Sequence, residues 1–600
     1  MSGDDTDRDR SELIAELAKR RGFFFPAAES YGGVAGFYTY GPRGAALKDN
    51  VETAWRDRFV TREGHMEISA PTVLPEAVFE ASGHLDGFDD MIVACADCEA
   101  SHRADHLVED ATDIAEAESL PAAEVGELIA DHGIDCPSCG AALAGEPVEG
   151  FNLMFGTNIG PGSASPGYLR PETAQGIFVE FPRLAEYARN QLPFGVAQVG
   201  RAYRNEISPR KSLVRVREFT QAELEQFVDP GRDEPPLDRV ADVTLPLYPA
   251  AAQAEEGDGS ERRGIRELTV REAVRKGVVG NDWIAYYLGV STGWYERMGV
   301  DMDRFRYRQH RPGELAHYAA DCWDAESELG GDWVELTGYA TRADYDLGKH
   351  AEHSGEDYGV FRQYDEPVTV ERPTVDPDMS YLGPEFESEA RAVADALEAL
   401  ASRDPGAFEG ETVAVEVDGE RRTVPVDRTG FAVEEVTEAG EHVTPHVIEP
   451  SFGIDRLIYT VLVHSYRRDE VDGERRTVLE LPPVVAPTTV GVFPLMDRDG
   501  LGERARSVAA DLRAAGLSVT YDDSGAIGRR YRRQDEIGTP FCVTVDYGTL
   551  GKGEDSAGDH ADTVTVRDRD TTAQRRVPIA ELPATIRALR DGERSVTDLG

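Results

Sequence analysis

The 600-residue sequence predicts an α+β chain with a small cysteine-bearing insert and a separate α/β domain at its end. Three observations point there. Apolar residues recur at spacing near four in some segments and alternate in others, so helices and strands are both expected. Two CxxC pairs, Cys95-x2-Cys98 and Cys136-x2-Cys139, bracket one acidic, Ala-rich stretch. After Pro482-Pro483, short apolar runs alternate with helical segments, the texture of an α/β unit from about 486 to 600.

In chain order, residues 44–63 read as an amphipathic helix with Leu47, Val51, Trp55 and Phe59 on one side, and 66–71 as an extended run broken at Pro71. The insert spans about 92–148. Its cysteine pairs suit a tetrahedral four-thiolate zinc site, which is structural because no position is left open. The 37 residues between the pairs leave room for a helix over 109–132. Short strands follow to about 230. Residues 230–280 are acidic and broken by Pro and Gly, with an exposed loop expected at Glu255-Glu256-Gly257-Asp258-Gly259. A helix is expected at 385–402, then a hairpin turning at Asp418-Gly419. The terminal domain holds strands near 490–494, 517–521 and 541–545 and a helix at 501–515. The resulting division is a 1–485 core, with inserts at 92–148, about 230–330 and 360–440, followed by 486–600. Cys322 and Cys542 stand alone, and His84, His310 and His350 match no ligand spacing, so all five read as structural.

Acidic residues outnumber basic ones 112 to 63, a formal net charge of −49, yet 40% of residues are hydrophobic, which excludes a disordered polyanion. No run approaches the ~18 apolar residues of a membrane helix, and the acidic start is no secretory signal, so a cytoplasmic protein is expected. Lysine occurs only at 19, 48, 211, 276, 349 and 552; the acid-rich, lysine-poor composition suits a salt-rich, halophilic cytosol. The charge is uneven. Residues 487–600 carry a net −3 and contain Arg529, Arg530, Arg532 and Arg533. A second island runs from Arg201 to Arg217, with Arg204, Arg210, Lys211 and Arg215 between. Both suggest phosphate-bearing partners, against a reading in which local carboxylates absorb the charge.

Phe194–Val228 carries the densest chemistry. Val196, Gln198, Gly200, Ala202, Arg204 and Glu206 share one face of a strand. A second strand over 213–226 aligns Arg215, Arg217, Phe219, Gln221, Glu223 and Glu225. Arginines, one aromatic ring and then carboxylates suit a ligand with phosphates, a flat ring and an ammonium group.

Arg204-Asn205-Glu206 with Arg217-Glu218-Phe219 resembles motif 2 of class II aminoacyl-tRNA synthetases, and Glu449-Pro450-Ser451-Phe452-Gly453-Ile454-Asp455-Arg456 resembles motif 3. The 44–63 helix with Ala70-Pro71 resembles motif 1, the dimer element. Leu169-Arg170-Pro171-Glu172-Thr173-Ala174-Gln175-Gly176, Phe219-Thr220-Gln221-Ala222-Glu223, Ser101-His102-Arg103 and the paired CxxC insert are similar to the glycyl-tRNA synthetases of the archaeal and eukaryotic dimeric type.

That resemblance implies a class II antiparallel-sheet catalytic domain with a zinc-ribbon-like insert, and a C-terminal α/β anticodon-binding domain. It implies a homodimer that joins glycine to tRNA(Gly) using ATP and Mg²⁺. Arg204, Arg217 and Arg456 would be catalytic. Glycine would be bound by Arg103, Glu172, Phe219, Gln221, Glu223, Glu449, Ser451 and Gly453. ATP would meet Arg204, Asn205, Glu206, Val214, Arg217, Glu218, Phe219, Glu335, Leu336, Gly453, Ile454, Asp455 and Arg456. Glu335 would ligate Mg²⁺. Two alternatives remain: another class II synthetase, or a non-catalytic synthetase-like subunit that binds nucleic acid. Arg342-Ala343-Asp344-Tyr345-Asp346 also resembles the family, without a role that the sequence supplies.

Overall fold

A computed structural model describes residues 3–112, 114, 117–162, 165–209, 212–256, 264–314, 321–417, 419–471, 473–552 and 560–599. They form two compact units. One comprises 1–188, 192–358 and 445–600; the other comprises 189–191 and 359–444.

The first unit is organised around a mostly antiparallel sheet. The elements that matter for the site are helix α1 (Pro42–Trp55), strands β1 (Phe194–Tyr203), β2 (Glu218–Val228), β3 (Cys322–Leu329), β4 (Asp332–Ala343) and β5 (His446–Gly453), and helix α2 (Ile454–Ser465). Among the described residues the sheet has nine strands, in the order Arg266–Thr269, Thr244–Tyr248, Phe305–Gln309, β3, β4, β5, β2, β1 and Met66–Glu67. The stretch expected as an insert at 230–330 therefore supplies four of these strands.

The strand pleat separates core from site. On β2, Ala222 and Leu224 are fully buried in the main hydrophobic cluster, while Phe219, Gln221, Glu223 and Glu225 point to the other face. On β5, Phe452 packs on the core side, with its ring centroid 4.7 Å from Phe59 and 5.3 Å from Trp294. Its neighbours Ser451 and Gly453 consequently face the site. α1 starts with Pro42 at its first turn, where a missing N–H costs nothing. It continues as a π-turn over Arg56–Thr61, which seats Phe59 beside Trp55 at 5.3 Å.

Several sequence expectations need correction. The second motif strand begins at Glu218, not 213, so Arg215 and Arg217 belong to the loop before it. The helix expected over 109–132 is two helices, Ala104–Ala111 and Ala122–Asp131, divided where Pro121 starts the second. Met66–Glu67 is shorter than the expected 66–71 strand. Near 385–402 two helices occur, Met379–Phe386 and Ala390–Arg403. Glu255 and Glu256 end a helix, Ala250–Glu256, whereas Gly257–Gly259 lie outside the described residues. Asp418 of the expected hairpin turn also lies outside them, but its flanking strands, Thr412–Val417 and Glu420–Pro425, do pair.

The second unit has its own core of Leu382, Val393, Leu397, Phe408, Val413 and Val424. Its strands Val360–Thr374 and Ala432–Val443 pair as a long antiparallel ribbon.

Residues 486–600 carry five described strands, in the order Val519–Tyr521, Val490–Pro494, Phe541–Val545, Thr563–Asp568 and Gln574–Pro578. The first three are mutually parallel and the last two antiparallel. Asp535 is fully buried here. Arg476 and Arg567 reach it at 3.1 and 3.0 Å, and Arg532 at 3.4 Å. Arg476 comes from the hairpin Tyr466–Val471/Glu474–Leu479, so this ion cluster ties that hairpin to the terminal sheet. Arg569 adds hydrogen bonds to the carbonyls of Leu481 (2.9 Å) and Gly538 (2.8 Å). Removing Asp535 would leave buried guanidinium groups uncompensated. Asp535→Ala is expected to cost about 3–5 kcal/mol in chemical denaturation, nearly unchanged between 1 and 3 M KCl because buried pairs are little screened.

Candidate functional site

Strands β1, β2, β4 and β5 lie side by side, and their register assembles the candidate site. Gln198 and Gly200 of β1 sit opposite Glu223 and Gln221 of β2. Those residues in turn sit opposite Ser451 and Gly453 of β5. Gly200 leaves room for Arg170. A side chain would collide with the guanidinium of Arg170, whose Nη2 lies 2.2 Å from where a Cβ would be. Arg170 spends its donors on the carbonyls of Arg201 (2.9 Å) and Ala70 (3.1 Å), and so fixes the Arg170–Gln175 segment.

One end of the site is an acid-walled pocket. Ser451 Oγ donates to Glu223 at 2.6 Å, Gln221 Nε2 donates to the same carboxylate at 2.9 Å, and Thr173 bonds its other oxygen. Gln175 holds Glu172 at 2.8 Å, and His84 Nε2 lies 3.7 Å from Glu172. Arg342 stands at the centre. It forks onto Asp346 (2.7 and 2.9 Å), bonds both oxygens of Glu449 (3.2 and 3.0 Å) and comes within 3.8 Å of Glu172. Glu225 is also buried here, and neither carboxylate oxygen has a hydrogen-bond partner among the described residues.

These environments pull the carboxylates apart. Burial opposes ionisation of Glu172, but the charges of His84 and Arg342 outweigh it and hold its pKa far below the usual range. Burial dominates at Glu449. Arg342 works against it, Glu223 and Glu172 with it, and the pKa is pushed up to about 8. Burial, then the neighbouring Glu172 charge, raises Glu223; burial, then Glu449, raises Glu225 well above the carboxylate range. The pocket is thus charged at some acids and protonated at others, the state expected of a slot tuned to receive a cation.

The other end is a cleft lined by Arg204, Glu206, Val214, Arg215, Phe219, Glu335, Leu336, Gly453, Asp455 and Arg456, among others. Arg204 lies over the Phe219 ring at 5.4 Å and the Phe88 ring at 5.3 Å. Its Nε donates to the Pro171 carbonyl at 3.2 Å, and its two Nη groups make no hydrogen bond among the described residues. Across the cleft, Arg456 bonds the carbonyls of Val214 and Glu335 and the Glu335 carboxylate, each at 3.0 Å.

Other expected site residues take different positions. Arg217 is committed to the carbonyls of Glu206 and Ala35. Glu206 holds Arg215 at 2.6 Å, and Glu218 pairs with Arg201. The Asn205 amide bonds the Leu153 carbonyl at 2.8 Å. Ile454 and Leu336 side chains belong to the core, and Asp455 is spent on Tyr40, Lys48 and the Thr220 amide. Arg103 is brought to Asp90 at 2.8 Å and to Asp105, not to Glu172, Glu223 or Glu449. Two residues without a role in the sequence reading, Arg342 and Asp346, prove central. The signal that could have found them is a basic residue four positions before an acid, at a strand end leading into a helix. His84, read as structural, also reaches the pocket.

Most of the described arginines of the basic islands are paired within the chain. Arg530 is buried on the carbonyls of Pro494, Asp523 and Gly525, Arg532 meets Asp535, and Arg533 meets Asp522. Arg210 and Lys211 lie outside the described residues.

In the insert, the Sγ atoms of Cys95 and Cys139 are 3.6 Å apart and those of Cys98 and Cys136 3.7 Å. The edge of a ZnS₄ tetrahedron with 2.3 Å bonds is about 3.8 Å. The four thiols therefore fit zinc, with His102 Nε2 beside Cys136 at 3.3 Å.

Two family models match the chain: a class II tRNA synthetase core domain (G, H, P, S and T) at residues 165–248, and an anticodon binding domain at 489–589. A glycine–tRNA ligase from Methanothrix thermoacetophila is 48% identical over 598 residues, covering 99% of both chains. One from Methanothermobacter thermautotrophicus is 46% identical, covering 96% of this chain and 99% of its own. One from Methanocaldococcus jannaschii is 45% identical, covering 96% and 98%.

The raised carboxylates set a pH dependence. The folded state keeps protons on Glu449, Glu223 and Glu225 that the unfolded chain releases near pH 4.5. Stability is therefore expected to fall as pH rises from about 4.5 towards 8. Glu449→Gln, which cannot ionise, is expected to flatten that fall. Urea denaturation of both proteins across pH 5–8.5 measures it.

Proposed function

The chain belongs to the glycine–tRNA ligase family, and on that premise we propose that the acid-walled pocket takes glycine while the adjoining cleft takes ATP. Glycine brings an ammonium group and a carboxylate and no side chain. Glu172, Glu223, Glu449 and Ser451 would surround the ammonium, with Gln221 holding Glu223 in place. Arg342 would keep Glu449 and Glu172 positioned. Every competing amino acid is larger, so a slot walled by buried side chains excludes it by size.

The observation that carries this reading is the guanidinium fork of Arg204 above the Phe219 ring, its Nη groups without a hydrogen bond among the described residues, just past the strand pair that also supplies Glu223. An arginine with unpaired Nη groups beside a flat ring matches an α-phosphate next to a stacked adenine. Arg456 would cover the opposite face of the base or reach the γ-phosphate. Glu335 would hold Mg²⁺, whose chemistry is to neutralise charge on the phosphate oxygens. Arg217, spent on backbone carbonyls, would shape the loop that carries Arg204 and Glu206. Asn205, Val214, Leu336, Gly453 and Ile454 would line the nucleotide chiefly through backbone.

No general base is needed. The glycine carboxylate is already ionised and attacks the α-phosphorus in line; diphosphate leaves, and glycyl-adenylate forms. The chain contributes positioning and charge stabilisation. A terminal ribose hydroxyl of tRNA(Gly) then attacks the acyl carbon, and AMP departs. Residues 1–485 would carry this chemistry, with zinc on Cys95, Cys98, Cys136 and Cys139 holding the insert. Residues 486–600 would bind the anticodon arm. We further propose a cytoplasmic homodimer suited to high salt, with α1 and its π-turn as dimer elements.

Glycine-dependent ATP–diphosphate exchange in molar KCl tests the reading. The wild type is expected to exchange with glycine and not with threonine or proline. Arg204→Ala is expected to lower kcat/KM by about 10²–10³-fold, the scale of losing one preorganised charge-stabilising donor. Near-normal exchange in that variant would remove Arg204 from the phosphate.

A further inference from the structure

We propose that His310, Cys322 and Asp324 form a second metal site, distinct from the four-cysteine insert, that takes one zinc-class divalent cation. One donor atom from each residue, an imidazole nitrogen, a thiol sulfur and a carboxylate oxygen, lies within 4.8 Å of the other two. His310 Nε2 is 2.8 Å from Asp324 Oδ2. The other ring nitrogen, Nδ1, is buried and has no hydrogen-bond partner among the described residues. The ion would take the Nε2 edge that faces Asp324, and Nδ1, on the opposite edge, would keep the ring proton.

The donors sit on a rigid frame. Strand Phe305–Gln309 pairs with β3 so that Gln309 faces Trp323 and Arg308 faces Asp324. The His310 amide then donates to the Cys322 carbonyl at 3.0 Å, closing the frame just past the strand. Sequence alone hides this set, because eleven residues separate His310 from Cys322 and only the hairpin brings them together.

The donor chemistry selects the ion. One nitrogen, one sulfur and one oxygen form a borderline-soft set, which suits Zn²⁺ or Co²⁺ and does not suit Mg²⁺ or Ca²⁺, ions that prefer oxygen alone. Three protein ligands leave a fourth position for water, unlike the closed insert site. The ion takes the place of the Cys322 thiol proton, which goes to solvent, while the imidazole ligates through one nitrogen and keeps a proton on the other. Asp324 Oδ1 and Glu335 Oε1 both face Gly338, at 3.8 and 3.9 Å from where its Cβ would be. The site therefore borders the cleft that holds Glu335.

Metal content decides the matter, and it needs no activity. The full chain, purified in molar KCl without chelator and dialysed, is expected to carry two zinc ions by mass spectrometry. Cys95→Ser with Cys136→Ser is expected to remove one, and Cys322→Ser or His310→Ala the other. Cobalt titration of the stripped wild-type protein gives a second readout that needs no variant. It is expected to show two classes of spectrum, a strong tetrathiolate band and a weaker single-thiolate band. One ion per chain, a single tetrathiolate spectrum, or two ions retained in Cys322→Ser would each overturn the proposal.

Discussion

The structure depends on Arg342, the guanidinium set among the buried carboxylates of Glu172, Asp346 and Glu449. An ionised carboxylate taken out of water without a partner costs several kcal/mol, so this many acids could not share one pocket without it. Even so, one arginine and His84 do not balance the set. The deficit shows as pKa values raised at Glu449, Glu223 and Glu225. A pocket short of positive charge has an unmet demand for one, which the small ammonium group of the proposed substrate would meet. The same imbalance that weakens the fold is what would equip the pocket to bind.

Strand alternation allows that pocket to exist next to a dry core. Phe452 points inward among Trp55, Phe59 and Trp294, while Ser451 and Gly453 point outward. A shift of one residue in the β2–β5 register would bury Ser451 and expose Phe452. Core packing and site geometry are therefore held by the same hydrogen-bonded ladder, and each protects the other from slippage.

Arginine is used in two ways in this chain. In the cleft, Arg204 keeps two Nη groups without a hydrogen bond among the described residues, beside an aromatic face. In the terminal domain and the hairpin that meets it, Arg476, Arg530, Arg567 and Arg569 are buried on carboxylates and carbonyl oxygens, where five fixed donors can satisfy several acceptors at once. In so acidic a chain, a run of arginines more often neutralises local acids than it waits for a phosphate. Counting charges along the sequence does not separate the two uses.

Composition and motif spacing by themselves pointed to the family and to the groups that its chemistry would use. The α+β core and the α/β ending, the paired cysteines and the three-part set around Glu172, Arg204–Glu223 and Glu449–Arg456 were all legible, because their signals are local: strand periodicity, turn residues and contiguous motifs. Other features were settled only by the tertiary structure. The Gly3–Arg21 helix, the role of Arg342 and Asp346, the diversion of Arg103 and Arg217 to other partners, and the meeting of His310 with Cys322 and Asp324 all needed the folded chain. Which carboxylate a guanidinium reaches depends on strand register and on burial, which sets the cost of leaving a charge alone. Neither is a property of neighbouring letters, so the sequence names the groups and the packing decides their partners.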